Sequence, residues 1–122
     1  MHELSIAMSL IEGATEEATR HPGERIVAVH VRIGKLSGVV KDALLFSYDI
    51  ARDGTALADS SLEIEEIEPT VFCSRCECER EVTSIHQFTC RECGSASSEV
   101  LKGRELAIVA LELESEYAAA AG

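Results

Sequence analysis

Cysteine is the residue type whose placement in this chain most narrows the chemistry. All five cysteines lie between Cys73 and Cys93, and four form two C-x2-C pairs, Cys73-Ser74-Arg75-Cys76 and Cys90-Arg91-Glu92-Cys93, separated by thirteen residues. Each pair makes a tight knuckle that aims two thiolates at one point, and the spacer brings the second knuckle opposite the first. Four sulfurs at ~2.3 Å in a tetrahedron make a structural zinc site. Gly94, directly after the second pair, suits such a turn. An odd, tightly grouped set argues against a disulfide framework and for metal. Iron in a rubredoxin-like site takes the same four thiolates, which leaves an electron carrier as an alternative. Four protein ligands leave no open position for a substrate, so a catalytic ion is disfavoured. The apolar side chains nearby, Val71, Phe72, Val82, Ile85 and Phe88, are too few to hold the segment folded, and without metal it is expected to be disordered. Cys78 is left over, either a free thiol or a competing ligand to Cys76.

A second constellation opens the chain, Met1-His2-Glu3. His2 is expected to block removal of Met1, because processing requires a small second residue. The α-amine, the His2 amide nitrogen and the His2 imidazole then wrap a divalent ion in fused chelate rings. The Glu3 amide supplies a further nitrogen, or its carboxylate an oxygen. Nitrogen donors in a plane suit Ni(II) or Cu(II) rather than zinc, which prefers a tetrahedron. The competing reading is that His2 is incidental, since some histidine stands second in many chains. His30, on a strand face with Arg32, reads as packed or solvent-facing; His86 as a structural partner of a knuckle thiolate; His21 as part of a turn. The acidic stretch Glu63 to Glu68 reads as a solvated strand edge rather than a cation store.

The rest of the chain must position these groups. Its 122 residues suffice for one ordinary domain or a small domain with an insert. Apolar residues make up 46%, aromatics 4%, and Trp is absent, so the core is aliphatic. Against 22 acids stand 11 Lys and Arg, a formal charge of −11, which repels nucleic acid and anionic membranes. No apolar run approaches the ~18 residues that cross a bilayer, and no secretory signal is visible, so a cytoplasmic location is expected.

Leu4 to Arg20 carries Leu4, Ala7, Met8, Ile11, Ala14 and Ala18 at the spacing of a one-sided helix, with Ser5 as its expected cap and His21-Pro22-Gly23 as its stop. From Arg25 the period becomes two: Val27, Val29, Val31 and Ile33 share one face, Ile26, Ala28, His30 and Arg32 the other, until Gly34 and Gly38 break the strand near Leu36. A second helix is expected over about Asp42 to Asp53, with Asp42 as N-cap, Leu45, Tyr48 and Arg52 along it, and Gly54 as its stop. Leu62, Ile64 and Ile67 mark a second strand with a phase slip that predicts a bulge or an early end. Arg104 to Glu114 is a third strand, apolar on both faces in its first half and therefore expected to be central or well covered. The tail from Tyr117 to Gly122 is expected to fray. The fold class is α+β: a small sheet of about three strands covered by two helices, with an inserted zinc-ribbon-like module. Residues 1–68 plus 101–122 form the main domain, and 69–100 the inserted module.

Taken together, Met1-His2-Glu3-Leu4-Ser5-Ile6, the strand Val29-His30-Val31-Arg32-Ile33-Gly34, the two knuckles and Gly103-Arg104-Glu105-Leu106 resemble the HypA/HybF hydrogenase nickel-incorporation proteins over essentially the whole chain. The resemblance implies a nickel metallochaperone, a binding protein rather than an enzyme. It implies delivery of nickel to the large subunit of [NiFe]-hydrogenase with the accessory GTPase HypB, leaves a homodimer open, and implies neither nucleic acid nor membrane as partner. The family's nickel ligand maps onto His2 and its zinc ligands onto Cys73, Cys76, Cys90 and Cys93; Glu3 matches the acidic neighbour that tunes or completes the nickel site. Ni(II) is then a transient cargo and Zn(II) a structural ion. Two departures stand out. Arg91 replaces a Pro common in the second knuckle, and Cys78 is outside the four ligands. The main rival is a zinc-ribbon interaction module without a nickel role.

Overall fold

In the computed structural model, which describes residues 2–82, 87–96 and 99–115, the chain forms α1 (His2–Ala18), β1 (Glu24–Gly34), a 3-10 turn (Lys35–Ser37), α2 (Lys41–Ala51), β2 (Ser61–Ile67), β3 (Thr70–Cys73), β4 (Cys78–Glu81), β5 (Val100–Lys102) and β6 (Leu106–Ser115). The strands make two three-stranded sheets, ordered β2-β1-β6 and β4-β3-β5. This is the expected α+β class, with a second sheet built around the cysteine segment.

The chain divides into two compact units, Met1–Val31 with Val39–Ile64 and Ile108–Gly122, and Arg32–Gly38 with Glu65–Ala107. In the first, Ala7, Leu10, Ile11 and Ala14 are buried along one stripe of α1, and Leu44 and Tyr48 along one stripe of α2. Both stripes follow the helical repeat. They bury against each other, and Ile26, Ala28, Val29, Val31 and Leu62 are buried in the same unit. The helix α1 winds down through Thr19, Arg20 and His21 amides that each bond three residues back, and Gly23 turns the chain at φ 83°.

Several local details differ from the sequence reading. Ser5 lies inside α1 rather than capping it, because the helix starts at His2 with Glu3 in its first turn, where negative charge favours a helix N-terminus. Asp42 is in the first turn of α2; its N-cap is Val40, which supplies no side-chain cap of its own. The carboxylate of Glu3 accepts the Val40 N–H instead, at 3.1 Å. Beyond α2, Arg52 Nη1 donates to the carbonyls of Ala58 and Ser60 at 2.6 and 2.9 Å, and Tyr48 and Ser60 join hydroxyls, which ties down the loop that delivers β2. Strand β2 runs on to Ile67, so the phase slip does not end it early. Strand β6 is at an edge, not central: β1 takes the middle, and Val109 of β6 is 48% exposed. The tail from Tyr117 to Gly122 lies outside the described residues. Among the described residues no helix is long and apolar enough to cross a membrane.

In the second unit the backbone packs closest at Gly34 and Gly103. Gly34 N donates to Glu105 O at 2.8 Å and Leu36 N to Gly103 O at 2.6 Å. A Cβ on Gly34 would lie 2.0 Å from the Gly103 carbonyl, and Gly103 itself adopts φ 123°. Neither position tolerates a side chain without moving backbone.

Two alanine substitutions test this with opposite signs. Gly34→Ala is expected to destabilise the protein by about 3 kcal/mol through that overlap. Gly13→Ala, in mid-helix and 3.9 Å from Ile108, is expected to stabilise it by roughly 0.5–1 kcal/mol. Urea unfolding midpoints measure both.

Candidate metal centre

The two knuckles converge. Strand β3 pairs antiparallel with β4 in the register Thr70↔Glu81, Val71↔Arg80, Phe72↔Glu79 and Cys73↔Cys78, so Cys73 ends one strand and Cys78 begins the next. The turn between them carries Cys76, whose N–H points at Cys73 Sγ from 3.4 Å, and Glu77 closes it at φ 55°. The second knuckle is clamped by Cys90 N to Ser95 O and Gly94 N to Cys90 O, both 2.8 Å, with Gly94 at φ 75° and a bridge between Thr89 and Ala96. Backbone amides aimed at or around sulfur are what a knuckle needs to hold thiolates together.

The result is a four-sulfur cluster. The Sγ atoms of Cys73, Cys76, Cys90 and Cys93 all lie within 4.8 Å of one another. Cys73 and Cys93 are 3.5 Å apart and Cys76 and Cys90 3.8 Å. Sulfurs at ~2.3 Å from a central ion in a tetrahedron stand ~3.8 Å from each other, so the cluster already has the dimensions of a bound tetrahedral ion. Cys73 and Cys90 are buried and Cys76 and Cys93 half-buried.

The electrostatics favour the same chemistry. The Ser95 side chain and backbone lower Cys93 to about 6, with Ser95 Oγ 3.3 Å from its sulfur. The backbone beside Cys93 also lowers Cys90. Sharing hydrogen bonds with the sulfurs of Cys93 and Cys73 pushes Cys76 up to about 12. Such a cluster keeps protons only where thiolates crowd, and a metal ion displaces them.

All four cysteines singled out by their spacing are thus brought to one point, while Cys78 sits half-buried on β4 outside the cluster. Met1, the His2 side chain, Ile85 and His86 lie outside the described residues. Glu3 is engaged at Val40, and that bond holds its carboxyl below the usual glutamate range. His30 is neither buried nor free: its Nε2 bonds Glu112 Oε1. His21 sits between Glu17 and Glu24 at 3.7 and 3.4 Å. Sequence reasoning missed Ser95 as a neighbour of the sulfurs, although a signal existed, a hydroxyl two residues past the last cysteine.

The chain is similar to known proteins. The family model described as "Hydrogenase/urease nickel incorporation, metallochaperone, hypA" matches residues 1–113. A hydrogenase maturation factor HypA of Roseiflexus sp. (strain RS-1) is 45% identical over 116 residues, covering 95% of this chain and 94% of that protein. Another, of Chloroflexus aurantiacus, is 47% identical over 112 residues, covering 92% and 98%. Among solved structures, the solution structure of the Ni metallochaperone HypA from Helicobacter pylori superposes with a TM-score of 0.63 at 25% identity, covering 93% and 98%. The solution structure of a HypA protein reaches 0.68 at 26%, covering 95% and 98%.

Serine at Cys73, Cys76, Cys90 or Cys93 is expected to lower bound divalent metal from one ion per chain towards none, while Cys78→Ser leaves it at one; elemental analysis of purified protein reads the difference. Glu3→Ala is expected to lower Tm at pH 7. Because Glu3 is depressed in the folded state, its contribution exists above its unfolded value of about 4.3 and is lost as pH falls through the folded value. The gap between wild type and variant in thermal melts should therefore close below about pH 4.

Proposed function

Because the chain belongs to the HypA family of hydrogenase maturation factors, we propose that it is a nickel metallochaperone that binds Ni(II) at its N-terminus and delivers it for maturation of [NiFe]-hydrogenase. Zn(II) on Cys73, Cys76, Cys90 and Cys93 is the resident, structural ion. The observation that carries this division is the closed four-sulfur cluster: with every position of a tetrahedron filled by protein, that site has no edge from which to hand an ion on. A transferable ion then needs a different, open set of donors, and His2 with its neighbouring backbone nitrogens provides one.

Nitrogen donors there suit Ni(II), and the open coordination edge lets the cargo leave. Cu(II) binds the same donors more tightly in the usual divalent order, so selectivity rests on docking and on which ions are supplied. Glu3 supports the site from its cap on Val40, which anchors the start of α1 beside the start of α2. Residues 1–68 with 101–122 carry the nickel end and 69–100 the zinc module. The receiving partners are the accessory GTPase HypB and the hydrogenase large subunit, in the cytoplasm.

Calorimetric titration of untagged protein with Ni(II) tests the reading. Wild type should bind, and His2→Ala should lose binding while zinc content and helix signal stay intact. Binding should weaken as pH drops below ~7, because an amine near ~7.7–8.0 and an imidazole near ~6.5 take up protons that compete with the ion. A tag fused before Met1 should impair binding by turning the amine into an amide. Undiminished binding in His2→Ala would move the site elsewhere, and no binding by wild type would leave a zinc-ribbon interaction module.

A further inference from the structure

Strand β6 lies at the outside of its sheet: among the described residues β1 is its neighbour on one side, and no strand follows it on the other. Such an edge presents backbone N–H and C=O groups with which another strand can pair. A channel of about 520 Å³ runs beside it, lined by Gly13, Ala14 and Glu17 of α1 and by β6 residues 108–111 and Leu113. Successive residues of a strand point to opposite faces, so a channel touched by four in a row follows the strand's edge rather than one face. With β1 on the inner edge, the channel lies along the outer one. Its wall on α1 is low, because Gly13 has no side chain and Ala14 is fully buried. An open strand edge with a helix beside it accepts an extended chain: main-chain hydrogen bonds hold the chain, and the channel takes alternate side chains. Residues 108–113 span about 20 Å, room for six residues of such a chain.

The charges select the occupant. Burial alternates along Leu111, Glu112, Leu113 and Glu114, with the leucines half-buried and the carboxylates exposed. Glu17, Glu112 and Glu114 meet the basic side chains of Arg20, His30 and Arg25, yet remain 42%, 59% and 44% exposed. A carboxylate has room for more than one donor. The formal charge of −11 adds a long-range pull on cations. A strand that alternates apolar residues with Lys or Arg therefore finds a cross-strand match for both. A second copy of the chain fits poorly, since two β6 strands side by side set acids against acids. The chain's own last residues, Glu116 to Gly122, carry no basic side chain.

We propose that the outer edge of β6, with the channel beside α1, is a docking site for an extended segment of a partner protein in which apolar residues alternate with Lys or Arg. The segment joins the sheet β2-β1-β6 as a fourth strand. This surface needs neither His2 nor the four sulfurs, so its test is independent of nickel binding.

Isotope-labelled, zinc-loaded full-length protein is titrated with an acetylated and amidated peptide of four Lys-Val repeats, and its amide NMR shifts are followed. The amides of residues 108–113 should move. The fitted Kd should rise about tenfold for a peptide of four Glu-Val repeats, and likewise when Val109→Lys puts a cation on the edge. Raising salt from about 0.05 to 0.5 M should weaken binding several-fold. Methylating the backbone nitrogens of alternate peptide residues separates strand pairing from side-chain contact. Methyl groups on the set that faces β6 should abolish binding, and those on the other set should leave it intact. Unmoved amides at 108–113, equal binding of the acidic peptide, or equal tolerance of both methylated sets would overturn the proposal. So would a doubled mass of the protein alone in sedimentation, abolished by Val109→Lys, which would make a second copy the occupant. Binding seen only in a chain ending at Ser115 would also overturn it, making residues 116–122 the occupant. If Val109→Lys does not fold, the peptide series on wild type decides.

Discussion

The close approach of Gly34 and Gly103 is the constraint around which the second unit is arranged. Strand β1 ends at Gly34, the chain returning from the cysteine segment passes Gly103, and the Cα of Pro69, one residue before β3, lies 3.0 Å from where a Cβ on Gly103 would stand. Three stretches of backbone meet there, with Leu36 Cδ1 also 3.0 Å from that Cβ position. The Gly103 N–H finds its partner in the Glu105 carboxylate at 2.8 Å, so the junction leaves that donor satisfied. Ion pairs reinforce the same neighbourhood from the surface, Arg32 with Glu65 at 3.0 Å and Lys35 with Glu68. Exposed as they are, each of these contributes little. Backbone fit, not charge, sets the geometry.

From that junction the small sheet β4-β3-β5 reaches the sulfurs. Its strands are three or four residues long, too short to stand by themselves, and the first knuckle joins the end of β3 to the start of β4. Val71 and Val82 are buried there, but few other apolar side chains are. The ion therefore does for this segment what aliphatic packing does for the helices and β1, and the separation between a scaffolding ion and a mobile one follows from the number of positions left open.

Much of this was readable in the residues, for reasons that are local. The period-two run of β1, the stripe of α1 and the two C-x2-C pairs each state their structure within a dozen residues. What escaped was non-local or had no pattern to read. The cap of α2 comes from Glu3, far back in the chain, so the nearest polar residue, Asp42, looked like the natural choice. Strand β4, Cys78-Glu79-Arg80-Glu81, has no apolar alternation, because pairing with β3 defines it. The two-sided apolar character of β6 pointed to a central strand, yet β1, richer in buried valine and isoleucine, occupies that place.

The marginal position of β6 also bears on how the molecule survives in a crowded solution. A long outer strand with Val109 half uncovered is the kind of template on which foreign strands stack into insoluble ribbons. Here its second half alternates Leu111, Glu112, Leu113 and Glu114, and the carboxylates of Glu112 and Glu114 are tied to His30 and Arg25. Any chain of the same kind lining up on this border would bring its own acids against these. The border thus guards itself by repulsion, and colloidal stability should decline as acidity or salt neutralises it.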